Sequence, residues 1–159
     1  MATQNIIQYL ETEQYSALPG VANVAVGISA MNRRQIETFV AGGAIAANDL
    51  VALDFSQTAD GDKAITVVKA NSGSTNSICA IGFAINAAAA AGDTVDVTIA
   101  GMHESANVKT GILKGKPLSI SGVAGEADEY VAGDVVPIVA YATENESSNV
   151  ATVFVIKQF

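Results

Sequence analysis

The single histidine, His103, lies in Met102-His103-Glu104 and is the side chain best suited to act as a general base near neutral pH. It has no neighbouring Cys or second His of the kind a zinc site needs, and one imidazole among many serines favours no Ser/His/Asp arrangement. The pattern therefore reads His103 as a loop residue. Asp60-Gly61-Asp62 opens like a calcium loop, but no acidic residue falls at the closing position, so a turn is expected. Gly42-Gly43 lacks the spacing and the lysine of a phosphate-binding loop. Gly111-Ile112-Leu113-Lys114-Gly115-Lys116 has no following Ser or Thr and runs into Pro117, so Lys114-Gly115-Lys116 reads as a hairpin turn. Asn145-Glu146-Ser147 matches a glycosylation acceptor, which has meaning only in a secreted chain. Cys79, in Ser77-Ile78-Cys79-Ala80-Ile81, is the one cysteine; it cannot form an intramolecular disulfide and is expected to be a small buried hydrophobe. These residues imply no catalytic set, no metal and no cofactor. An enzyme or a small-ligand-binding barrel would have to rely on His103, Glu104 and scattered aspartates.

What the chain repeats instead is a turn. Ala91-Gly92-Asp93-Thr94-Val95 recurs as Ala132-Gly133-Asp134-Val135-Val136, with a looser copy in Ala47-Asn48-Asp49-Leu50-Val51. Gly supplies the left-handed backbone of a tight turn, and the Asp carboxylate bonds nearby backbone N–H groups. Each copy leads into a β-branched run, so the repeated phrase marks a β scaffold whose function lies on its surface.

Composition agrees. At 159 residues the chain has the length of about one domain. Half of it is hydrophobic, yet only 6% is aromatic, so the core must be built from Ala, Val and Ile, as suits strands. Sixteen acidic residues against eight basic ones leave a formal charge of −8, which offers nothing to neutralise a phosphate backbone; no nucleic-acid partner is expected. The amino terminus, Met1-Ala2-Thr3-Gln4-Asn5, lacks the basic and apolar regions of a signal peptide, and no stretch reaches the length of a membrane span. The expectation is a protein made and used without secretion and without a membrane.

The chain divides into residues 1–34 and 35–159. In the first part Ile6, Ile7 and Leu10 share one helical face behind a possible cap at Thr3, and Val21-Ala22-Asn23-Val24-Ala25-Val26 follows a turn at Pro19-Gly20. This part reads either as a first strand of the main domain or as an arm, with a short helix, that packs on a neighbouring molecule. From Gln35 the signals are all-β: strands are expected at 36–40, 50–55, 64–69, 78–85, 94–100, 117–121, 135–142 and 150–157, divided by turn clusters, in a small barrel or sandwich. In Thr94–Ala100, Val95, Val97 and Ile99 should face inward and Thr94, Asp96 and Thr98 outward. Two strands look apolar on both faces. In the last, Val150, Phe154 and Ile156 lie on one side and Ala151, Val153 and Val155 on the other; 135–142 is similar, with Pro137 arguing for an edge or a bulge. Faces of this kind suggest self-association, with Val153, Phe154, Val155 and Ile156 as interface candidates, or else a second sheet covering them.

Gly42-Gly43-Ala44-Ile45-Ala46-Ala47-Asn48-Asp49-Leu50-Val51-Ala52-Leu53, the lead from Ile81-Gly82-Phe83-Ala84 to Ala91-Gly92-Asp93, the segment Gly133-Asp134-Val135-Val136-Pro137-Ile138 and the closing Val153-Phe154-Val155-Ile156 together resemble the decoration, or cement, proteins of tailed-phage capsids. The resemblance runs from about Gln35 to Phe159. It implies a small β-tulip-like barrel or sandwich, usually a homotrimer, that sits on the outer surface of the phage head and binds the major capsid protein. On that reading Ile6, Ile7, Leu10, Val21, Val24 and Val26 become capsid-contact candidates, with Arg33 and Arg34 pairing to acidic capsid residues. Another virion role on the same β unit, in a head-fibre base or tail, is the alternative.

Overall fold

The computed structural model describes residues 34–134 and 136–158. Its elements are β1 (Gln35–Ala41), β2 (Leu50–Leu53), the short helix α1 (Asp60–Ile65), β3 (Thr66–Lys69), β4 (Ala80–Ala84), β5 (Thr94–Asn107), β6 (Pro117–Ile120), β7 (Ala127–Glu129), β8 (Ala140–Ala142) and β9 (Val150–Val155). The all-β expectation holds. In sheet order β1-β3-β2-β4-β5, the pairing of β1 with β5 closes a five-stranded barrel, and only β1 and β3 run parallel. Phe39, Val51, Val67, Ile81, Val95, Val97 and Ile99 fill it. At this strand number the interior holds side chains and nothing else.

The sheet continues as β5-β9-β8-β6-β7. Its far edge returns to the chain just beyond β5: Val108 bridges Ala127, and the Lys109 N–H donates to the Ala127 carbonyl at 2.8 Å. A second ring of strands results, packed with Ala106, Val108, Leu118, Ile120, Val139, Val153 and Val155. Closing both rings pairs edges that would otherwise be open to other chains.

Strand β5 belongs to both rings. Its first half, up to Ala100, pairs with β1 and β4, and from Gly101 onward it pairs with β9. The exchange of partners falls at Gly101, whose φ of 92° is a left-handed value that suits glycine. Farther along, the register slips between His103 and Ala106, where Ser105 takes φ 60° in a bulge.

The strands buried on both faces are β2 and β4. Val51 and Ile81 point into the first barrel, while Leu50, Ala52, Ala80 and Phe83 join the second core. The carboxy-terminal strands, apolar on both faces in the sequence, bury one face within the described chain. In β9, Ala151, Val153 and Val155 are buried, whereas Val150 and Phe154 are 38% and 46% exposed. Of the described residues of the expected strand 135–142, only those of β8 form a strand, because Pro137 cannot donate to a ladder; Val136 and Val139 still reach the core. Thr98, expected on a wet face, is fully buried, because the second core covers that side of β5. Asp60-Gly61-Asp62 starts α1 instead of forming a simple turn. The Asp62 and Lys63 N–H groups donate to the Ala59 carbonyl, and Lys63 pairs with Asp60 at 2.9 Å. Strand β7 was not expected, since three residues are too few to show a period.

The repeated phrase is one turn built repeatedly. In Ala46–Asp49, Ala90–Asp93 and Val131–Asp134 the fourth residue's N–H donates to the first residue's carbonyl, at 3.3, 3.3 and 3.0 Å. The third residue is left-handed in each: Asn48 at 71°, Gly92 at 93° and Gly133 at 107°. That is the type II pattern. The Asp carboxylate then accepts the first residue's own N–H, at 2.8, 2.9 and 2.8 Å. Leu113–Lys116 and Val123–Glu126 repeat the backbone geometry with other side chains in the fourth place.

Gly82 marks the tightest approach between strands: a Cβ there would lie 2.0 Å from the Thr98 carbonyl oxygen. Gly82→Ala is expected to destabilise the fold by about 3 kcal/mol or more, since backbone must move to admit it. Gly43→Ala, with open space around the glycine, should stay within about 0.5 kcal/mol of the parent. Chemical denaturation of the two variants checks both; equal stabilities would contradict the packing described.

Candidate interaction surface

His103 is not in a loop. It lies on β5, 3% exposed, at the seam between the two rings. Its Nε2 is 3.2 Å from Asn48 Oδ1 and its Nδ1 is 3.0 Å from Thr98 Oγ1. Because the amide oxygen can only accept, Nε2 carries the proton and Nδ1 accepts from the Thr98 hydroxyl. The ring stacks on Phe83 with centroids 5.4 Å apart. Burial, and secondarily the charge of Arg34, pushes its pKa down to about 4. Both nitrogens are occupied in holding strands together, so the imidazole is a neutral structural bridge.

The next residue on the same turn does comparable work. Asp49 is 4% exposed; its Oδ2 accepts from the Ala46 N–H and pairs with Lys69 at 2.8 Å, and its Oδ1 accepts from Asn107 Nδ2 at 3.3 Å. The backbone joins in: Asn107 N–H donates to the Asn48 carbonyl, Leu50 N–H to Gly125, and Ala84 N–H to Asp49. Asn48 and Asp49 thereby tie β2, β4, β5 and the turn before β7 together. Among the described residues no group of three or more His, Cys, Asp or Glu side chains is placed to hold a metal ion. Cys79, expected to be buried, is half-buried just before β4, and desolvation raises its thiol pKa.

The surface offers a different feature. Across four adjacent strands Pro117 lies opposite Tyr141, Tyr141 opposite Phe154, and Phe154 opposite Met102. Residues paired in this way share a face, and the row runs about 14 Å across the sheet. Tyr141 is 42% exposed and Phe154 46%. Pro117, Met102 and Ile156 are half-buried. A polar border adjoins it, where Glu144 accepts from the Thr152 N–H at 2.9 Å and from its hydroxyl at 2.6 Å, and Lys157 donates to Gln35 at 3.2 Å. A contiguous apolar stripe of this kind is the usual mark of an interaction site.

Of the interface candidates, Val153 and Val155 are consumed in the second core, which leaves Phe154 and Ile156 facing out. Tyr141, Met102 and Pro117 were missed. The small-large-small pattern Ala140-Tyr141-Ala142 is the one local hint, and cross-strand register alone assembles the row. Among the capsid-contact candidates, Arg34 is described and half-buried. Ile6, Ile7, Leu10, Val21, Val24, Val26 and Arg33 lie outside the described residues.

No family model and no curated protein matches the chain. Among solved structures it is similar to the N base of the head fiber protein gp8.5 of bacteriophage phi29, at 19% sequence identity and a TM-score of 0.49, over 77% of this chain and 94% of that one. At that score the likeness carries no weight for function.

A histidine whose folded pKa lies below its unfolded value costs stability as the solution becomes acidic. The contribution is full above pH 6.5 and is lost as pH falls towards 4, amounting to roughly 3 kcal/mol. Urea titrations between pH 7 and 4 should show this loss, and His103→Gln should flatten the part between pH 6.5 and 5. A variant with an unchanged slope there would contradict the assignment.

Proposed function

We propose that this chain is a structural component of a tailed-phage virion and, within that class, a capsid decoration protein. It binds the outer surface of the mature head as a homotrimer, contacts the major capsid protein, and performs no catalysis. The observation that carries the self-association is the exposed row Pro117–Tyr141–Phe154–Met102, which no element of the described chain covers. The decoration role rests on the sequence resemblance between about Gln35 and Phe159. Two further features support a surface-acting protein. The lumens of both rings are packed with side chains, and the one histidine is spent in bridging strands.

The physical mechanism is multivalency. Each subunit makes a modest contact with the shell, and joining three on one axis makes the later contacts intramolecular, so avidity exceeds the single-site affinity. The amino-terminal segment with Ile6, Ile7, Leu10, Val21, Val24 and Val26 supplies capsid contacts, with Arg33 and Arg34 pairing to acidic groups on the shell.

Sedimentation of the purified protein should give a trimer. Phe154→Ser should weaken it by about 30-fold, the cost of removing a buried aromatic anchor from an interface, with an unchanged far-ultraviolet spectrum. Mixed with expanded empty capsids, the parent should co-sediment with them, and a chain lacking residues 1–30 should remain trimeric but fail to bind. A monomer at high concentration, or a truncated chain with unchanged occupancy, would sink the corresponding part of the proposal. Localisation to a fibre base or tail on intact particles would favour the alternative virion role.

A further inference from the structure

We propose that a groove on the outer face of β6 and β7 binds the guanidinium group of an arginine presented by a partner protein. The groove has a volume of about 390 Å³, and its lining includes Ser119, Asp128, Glu129, Val131, Asp134 and Val136. Its floor carries the decisive observation. Ser119 is 2% exposed, yet its hydroxyl makes no hydrogen bond with any described residue and no buried side-chain oxygen of the described chain is sealed away without a partner, so the hydroxyl opens into the groove. An unpaired polar group held in so enclosed a place is costly unless something arrives to bond it.

The walls specify what that something is. Asp128 Oδ2 is taken by Lys109 at 2.6 Å. Asp128 Oδ1 accepts from the Glu129 N–H, and Asp134 Oδ2 from the Val131 N–H. Asp134 Oδ1 and Ser119 Oγ are left as acceptors from a turn and the groove floor, beside the Asp128 carboxylate that pairs across the ladder with Ser119, whereas Glu129 pairs with Leu118 and directs its side chain to the other face. A planar guanidinium with five donors suits several acceptors arranged around it better than a compact ammonium does. Val131, 63% exposed, and Val136 give the methylene stem of an arginine an apolar wall to lie on. The carboxylates of Asp128 and Asp134 against the one ammonium of Lys109 leave the groove negative, in keeping with the acidic chain. Ser119 and Pro117 alternate to the same side of β6, so the groove lies on the sheet face that bears the aromatic row. The inference does not depend on the virion reading.

Titrating isotopically labelled protein with N-acetyl-arginine amide tests it by nuclear magnetic resonance. Saturable shifts should be confined to Ser119, Asp128–Asp134 and their neighbours. Ser119→Ala and Asp128→Asn should each weaken the binding by about tenfold, as expected for a lost bond to a charged group. Asp134→Asn should do the same, Asp128→Asn keeps the test sound if the Asp134 turn is disturbed, and Glu129→Gln, on the other face of the sheet, should leave the affinity unchanged. N-acetyl-glutamine amide should shift nothing. Shifts that grow linearly and spread equally to the Glu144–Glu146 loop would overturn the site, as would equal affinity in all variants. Equal binding of N-acetyl-lysine amide would overturn its preference for guanidinium.

Discussion

The structure depends on one strand serving two closed rings. A β-strand has two hydrogen-bonding edges and two faces, and β5 uses them differently along its length. Up to Ala100 it completes the first barrel with β1 and β4; from Gly101 it pairs with β9 and opens the second ring. The direction of the ladder must change within one residue, and the left-handed Gly101 allows it. Because β2 and β4 lie across this transition, each of their faces meets a different core. Their burial on both sides follows from the sharing of β5, and so does the sealing of Thr98.

A seam between two apolar cores leaves backbone and side-chain polar groups without water, and each must find a partner. The Asn48–Asp49 pair meets that demand. One residue holds the imidazole of His103, and the next holds Lys69, Asn107 and its own turn. The turn phrase that lies on the surface at Ala90–Asp93, ahead of β5, has here turned its carboxylate into the interior. Only this copy carries Asn in place of Gly at the left-handed position, and that Asn is the one whose side chain has a task.

The outward side of the second ring is organised by register. Ladder pairing lines up Pro117, Tyr141, Phe154 and Met102 from four strands, and places the Ser119 groove on the same face. An aromatic stripe gives apolar area, and an acidic groove beside it gives direction and charge preference. Together they form a surface with both components that specific protein contacts use.

Local chemistry was legible in the sequence wherever a few adjacent residues suffice. The Ala-Gly-Asp turns, the all-β class and the inward Val95, Val97 and Ile99 follow from backbone preference and a period of two. Pro137 announced a broken ladder. What depends on residues far apart could not be read there. His103 looked like a loop residue because Thr98, Asn48 and Phe83, which bury it, come together only when the rings close. Val153 and Val155 looked available because alternation gives a strand two apolar faces without saying which one the subunit fills. The row through Tyr141 and the opening of Ser119 into a groove are properties of strand register, and register is set by the closure of the whole sheet.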